Sequence, residues 1–487
     1  MRIEIGQTKA GAIVALPLAR ANRHGLITGS TGGGKTVTLQ RLAEEFSAAG
    51  VPVFAADIKG DLSGVAAAGD PSSPLAARAA TLGRQFDPQR FPVQFWDLFG
   101  EHGLPIRTSV QAMGAQLLAR MLHLNDTQEG ALTVLFRKAE DDADFNLTLD
   151  DLRWALDAMM DDREEISKRY GHVTSASIAT IQRNLLALEA QGGDRLFGEP
   201  PFDIMDLIRV ADDGRGLINL LRADRLLEAP KLYATFLLWL LTELFRVLPE
   251  AGDLDKPKLV FFFDEAHLLF TDAPKALVQQ VERLVRLVRS KGVGVYFVTQ
   301  SPADVPDTVL AQLGSRVQHA LRAYTPKDQR LVRAAAQAFR ENREVDVKAE
   351  ITTLAVGEAL ISVLDDAGIP TKVEKVQILP PRGQVGPVSD LEQGTIMAAS
   401  DLRARYSYAM EDGKAYAAFE DRLRAQRGLT GLERSVGNQR PAEISDFIPS
   451  FDRPAQTRPT RWSHLKQVGF WSAFLIADVA FLVWLTA

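Results

Sequence analysis

Residues 259–263 read Leu-Val-Phe-Phe-Phe and run straight into Asp264 and Glu265. A strand with no polar alternation has no face for water. It must be covered on both sides, as in a parallel sheet sandwiched between helices. Other short apolar runs read as strands, several of them apolar on both faces, at 25–28, 51–57, 93–98, 216–221, 294–300, 317–322 and 358–364. Between them lie longer helical patterns, such as 35–50 and 276–292, each closing on a glycine suited to a helix C-cap. Strand and helix in alternation predict an α/β fold with a mainly parallel, doubly wound sheet.

Residues 105–213 break that rhythm, with helical patterns at 109–124, 147–160 and 174–188. They read either as a helical subdomain inserted into the core or as long crossover helices. The expected organisation is a first core part at 1–104, a helical insertion at 105–213 and a second core part at 214–377. A Pro/Gly-rich extension and linker follows at 378–467, with a helical stretch at 399–427, and an apolar tail at 468–487. The tail, Val468 to Ala487, has the length of a bilayer span and tryptophans near both ends, but carries Asp478 near its middle. A membrane anchor, a helix docked on the core and a merely atypical tail all remain open for it.

With 487 residues, 46% of them hydrophobic and 24% charged, the chain can bury large cores. This excludes pervasive disorder, collagen-like repetition and a multi-span membrane protein. Its formal charge of −6 does not announce a nucleic-acid partner, although a local basic channel is compatible with it. The absence of cysteine rules out disulfides, iron–sulfur clusters and thiolate zinc. The N-terminus lacks the apolar core and cleavage site of a signal peptide, so a cytoplasmic location is expected.

The chemistry centres on Gly29-Ser30-Thr31-Gly32-Gly33-Gly34-Lys35-Thr36, which fits G-x-x-x-x-G-K-[ST] between a strand and a helix. Three consecutive glycines let several N–H groups converge on one phosphate chain, and the following helix, beginning with Lys35, Thr36 and Val37, adds its positive end. Lys35 would reach the β- and γ-phosphates, and Thr36 would take a position on Mg²⁺. Asp264, at the end of its buried strand, would serve the same ion, and Glu265 would orient and deprotonate a water. That second carboxylate favours hydrolysis over transfer to a small-molecule acceptor. Gln300, ending the strand at 294–300, could sense the γ-phosphate, and Asp57 could join the metal or water network or simply make a turn. Arg286 and Arg289 lie three apart on one helix and are candidates for an arginine acting in a neighbouring subunit. The seven histidines show no metal-ligand spacing.

Taken together, GSTGGGKT, DIKGD, FFFDEAH and VTQSPADVPDTVLAQLGSRVQHALRAYTP resemble the HerA–FtsK class of P-loop ATPases, and more narrowly the bacterial HerA-like, helicase-like ATPases, over residues 1–425. The resemblance implies a RecA-like core with an additional strand and a catalytic glutamate, a ring assembly (hexameric in the class), and ATP hydrolysis coupled to movement of DNA. By position, Lys35 and Thr36 match the Walker A motif, Asp264 and Glu265 the Walker B motif, and Gln300 the polar sensor. Arg286 or Arg289 falls where the class places its intersubunit arginine. The chain departs from archaeal HerA in having its first core strand at residue 25, with no β-barrel before it, so a nuclease partner is not assumed. The expectation is therefore a Mg²⁺-dependent ATPase, oligomeric and DNA-translocating. The alternative is an ATP-switched assembly or scaffolding factor acting on protein partners, tethered to the inner membrane if the tail inserts.

Overall fold

The computed structural model describes residues 1–141, 149–252, 254–271 and 275–406. The strands are β1 (Arg2–Thr8), β2 (Ile13–Pro17), β3 (Gly25–Thr28), β4 (Val53–Asp57), β5 (Val93–Asp97) and β6 (Leu104–Pro105). After the helical segment come β7 (Ile218–Arg222), β8 (Leu259–Phe263), β9 (Val293–Thr299), β10 (Ser315–Gln318), β11 (Glu358–Ser362) and β12 (Glu374–Ile378). They form one 12-stranded sheet in the order β2-β1-β12-β11-β10-β3-β9-β8-β4-β7-β5-β6. From β10 to β6 every pairing is parallel, and from β10 back to β2 every pairing is antiparallel.

The central strands are apolar on both sides because both sides are covered. In β8, Phe261 and Phe263 enter one core, whereas Val260 and Phe262 enter the other. The first core holds the helices Val110–Met121, Asp126–Asp141, Leu149–Asp161 and Ser175–Ala190 together with the helix Pro230–Val247. The interrupting helices thus share one continuous apolar cluster with the sheet, including Trp96, Phe54 and Phe297. The second core lies beneath the helix Lys35–Ala48.

The expected strands are present, several shortened at an end, but the sheet is wider than expected. β1, β2, β6 and β12 carry weaker sequence signals. In β1, Ile3 and Ile5 are buried while Arg2 is exposed and Glu4 is half-buried, the alternation of a strand covered on one side only. The Pro/Gly-rich stretch after β12 crosses the helix Lys35–Ala48, where the buried Glu44 carboxylate accepts from the Arg382 and Gly383 backbone N–H groups. The helical stretch expected at 399–427 appears in part, as Arg403–Tyr406 after a preceding helix Asp390–Ala399. Its remainder, the linker and the apolar tail at 468–487 lie outside the described residues. No described helix is long and apolar enough to cross a membrane.

Candidate active site

Strand register assembles the site. In the parallel pairing of β3 with β9, Thr28 faces Thr299, so the next residues, Gly29 and Gln300, leave the sheet side by side. Thr28 also faces Gln318 of β10, which brings His319 against Gly29. On the other flank, Ala55 faces Phe262, so two residues further Asp57 and Asp264 end adjacent strands. Carboxylates and phosphate loop thus meet at the C-terminal edge, where open α/β sheets bind ligands. β9 stands between the strand of the phosphate loop and that of Asp264 and Glu265, the additional strand that the resemblance implies.

The loop needs glycine where backbone comes close. Gly29 has φ of 154°, and a Cβ there would lie 2.5 Å from the His319 Cβ. Gly34, with φ of 108°, occupies the left-handed region at the start of the helix. Thr31 and Gly32 form the exposed tip, with Ser30 below them and Gly33 buried, while Thr36 and Val37 lie half-buried in the first helical turn. The Lys35 ammonium donates to the carbonyls of Gly29 at 2.7 Å and Ser30 at 3.2 Å. Burial pushes its pKa down, opposed by the negative charge of Glu265 and Asp264.

The acid side buries its carboxylates, and burial keeps them reluctant to ionise. Burial, then the adjacent Glu265, pushes the Asp264 carboxyl up to about 7, and burial, then Asp61 and Asp264, pushes Asp57 up to about 7. Asp57 Oδ1 and Glu265 Oε2 are buried acceptors without a hydrogen-bond donor among the described residues. Glu265 sits in the left-handed region, with φ of 46° and ψ of 48°, and its Oε1 lies 3.5 Å from the Lys59 ammonium. Its other oxygen lies 3.4 Å from His267 Nδ1. Tyr233 OH donates to the Asp264 carbonyl, and Glu265 N–H donates to the Asp264 carboxylate. Such buried carboxylate oxygens suit a hard divalent cation shared with a bound phosphate, since among the described residues no group of three or more His, Asp or Glu side chains forms a metal site on its own.

Gln300 is exposed at the same edge. The turn that carries it is stiffened by Asp304, which accepts from the Thr299 hydroxyl at 2.7 Å and the Ser301 N–H at 2.8 Å. Arg286 and Arg289 are not brought to the loop. They precede β9, whose far end carries Gln300, and seven strand residues span about 20 Å. Arg286 is ion-paired with Glu282 at 2.7 Å.

Sequence reasoning missed His319, Lys59 and Asp304. His319 Nδ1 lies 2.9 Å from the Glu358 carbonyl and must donate to it, so Nε2 accepts from the Thr38 hydroxyl at 2.9 Å. Burial pushes this imidazole down to about 4, so it stands as a neutral buttress behind the loop. The missing signal was pairing register, because metal-ligand spacing says nothing about a histidine that supports glycine.

The fold and this edge define a P-loop NTPase of the RecA-like, additional-strand kind. The chain belongs to the family described as Helicase HerA-like C-terminal, which matches residues 2–465. A 116-residue stretch is 32% identical to "Probable helicase MJECL08" of Methanocaldococcus jannaschii, covering 23% of this chain and only 20% of that protein. Among solved structures, the bacterial conjugative coupling protein TrwBΔN70 matches with a TM-score of 0.51 at 17% identity, over 79% of this chain and 91% of that one. The plasmid coupling protein TrwB in complex with ADP and Mg²⁺ matches to the same extent. VirB4 of Thermoanaerobacter pseudethanolicus matches with a TM-score of 0.50 at 16% identity, over 77% and 96%. At such identities these likenesses establish the shared fold.

Proposed function

We propose that this chain is a Mg²⁺-dependent ATPase that works as an oligomeric motor on DNA. The observation that carries the hydrolytic part is the convergence of Lys35, Asp264, Glu265 and Gln300 at one sheet edge, fixed by strand register. The loop N–H groups and the Lys35 ammonium bind the triphosphate. Thr36 and Asp264 would hold Mg²⁺, which when bound neutralises phosphate charge and polarises the bond to be cut. Glu265 takes a proton from the attacking water, and its αL backbone turns the carboxylate away from the strand path. Gln300 reads the terminal phosphate, and buttressing by His319 keeps the loop in its wrapped form.

A polynucleotide partner is supported by the family and by one surface. Lys327, Arg330 and Arg333 recur every third residue at exposed positions of the helix Pro326–Gln337, and none is held in an ion pair among the described residues. Such a row suits phosphodiesters. The helix follows β10, and Ala320, just beyond that strand, accepts from the Ser30 N–H, so this surface is tied to the phosphate loop.

The test is ATP turnover with and without duplex and single-stranded DNA. Wild-type protein is expected to hydrolyse ATP and to be stimulated by DNA, and Lys35→Ala to lose nearly all turnover. Wild-type-like hydrolysis by Lys35→Ala would refute the site. Hydrolysis indifferent to every nucleic acid would move the partner to protein.

A further inference from the structure

The edge where the phosphate loop opens is lopsided. On one side of β3 lie β9, β8 and β4, with Gln300, Asp264, Glu265 and Asp57. On the other lie β10 and then β11. A triphosphate whose terminal phosphate faces Glu265 must send its nucleoside end the opposite way, toward the start of β11. There the Gly357 N–H donates to the Gly33 carbonyl at 3.4 Å, and a Cβ on Gly34 would stand 3.4 Å from that same nitrogen. The start of β11 is therefore a wall of the loop.

Two side chains mark that wall. Val356, immediately before Gly357, is 71% exposed although apolar. Arg78 arrives from the helix Pro74–Thr81, and its two terminal nitrogens donate to the carbonyls of Val356 and Gly357. The carboxylate that acts on its charge, Glu358, is engaged elsewhere, accepting from the Ala355 N–H and facing the Lys375 ammonium at 3.4 Å. Arg78 forms no ion pair among the described residues. A guanidinium held by its edge to backbone carbonyls can present a flat face to an aromatic ring, and a half-buried cation whose nearby carboxylate is engaged elsewhere suits such a ring.

Resting on the ATPase reading, we infer that Arg78 and Val356 form the nucleobase subsite, in which the purine ring of the nucleotide stacks on the guanidinium and packs against the valine. The phosphate loop then supplies affinity for any triphosphate, and this pair supplies preference for one that carries a base. The subsite joins residues separated by most of the ATPase core, so it forms only when the helix Pro74–Thr81 is docked on β11.

Binding of ATP and of inorganic tripolyphosphate, each with Mg²⁺, separates the two contributions. Arg78→Ala is expected to weaken ATP about tenfold while changing tripolyphosphate by no more than about twofold. Arg78→Lys should restore little, because an ammonium keeps the charge but not the plane. KM should rise with kcat at saturation nearly unchanged. Val356→Ser, whose side chain stands in water, should weaken ATP in the same sense and carries the test if Arg78→Ala does not fold. Equal weakening of both ligands, full rescue by lysine, or no change in folded Arg78 and Val356 variants would overturn the subsite while leaving the ATPase reading intact. Wild-type protein that binds neither ligand would overturn both.

Discussion

In the proposed mechanism, Glu265 serves chemistry at the expense of its own backbone. A non-glycine residue at φ of 46° costs roughly 1–2 kcal/mol, and the contact with half-exposed Lys59 returns little of it. Glu265→Gly is therefore expected to raise unfolding free energy by about 1 kcal/mol while losing hydrolysis, as read by urea denaturation and phosphate release. A destabilised glycine variant would contradict that reading of the turn. Titration at this scale is also legible. Burial pushes His24 down to about 3 and His319 to about 4, so between there and the usual imidazole range the unfolded chain binds protons that the folded chain refuses. Their contribution is present above about pH 6.5 and lost on acidification. Asp57 and Asp264, pushed up to about 7, act in reverse, since the folded state holds protons that unfolded carboxyls release near pH 4. Asp57→Asn removes one opposing group, so its melting temperature should climb more steeply than wild type from pH 4 to 6.5. Parallel curves would contradict the assignment.

Between elements, the helix behind the phosphate loop is clasped by the segment that follows β12. Glu44 is fully buried and accepts from Arg382 N–H at 2.6 Å, Gly383 N–H at 3.0 Å and the Gln40 amide at 3.0 Å. Glu44→Ala leaves two backbone donors without a partner and should cost about 3 kcal/mol in urea unfolding, with Glu44→Gln losing less. A loss below about 0.5 kcal/mol would contradict the clasp. Most strands of the parallel half were readable from sequence because they are apolar on both faces and are followed by helices, the two-residue β6 being the exception. The loop glycines, Lys35, Asp264 and Glu265 were readable because their spacing is local. In the antiparallel half, β11 was readable at 358–364, but β1, β2 and β12 were not. β1 and β12 pair across nearly the whole core, and no short window contains both. His319, Arg78 and Lys59 escaped for the same reason, since each reaches the site through strand register or a long-range contact.

At the scale of the whole molecule, the arrangement of Arg286 and Arg289 bears on assembly. Both stand at the sheet edge opposite the phosphate loop of their own chain, so either could reach a phosphate only in a second copy. If Arg289 does so, mixing Arg289→Ala with Lys35→Ala subunits should restore part of the turnover that each lacks alone. No recovery in co-assembled subunits would exclude that arginine. The central claim, that a triphosphate held by the loop is cut by water activated at Glu265, is tested most directly by phosphate release from Mg²⁺–ATP. Wild type and Glu265→Gln should be compared at matched nucleotide occupancy. Steady release by wild type and at least a hundredfold slower release by the bound glutamine variant, about 3 kcal/mol of barrier, is the predicted result. Equal rates from the two proteins would contradict it.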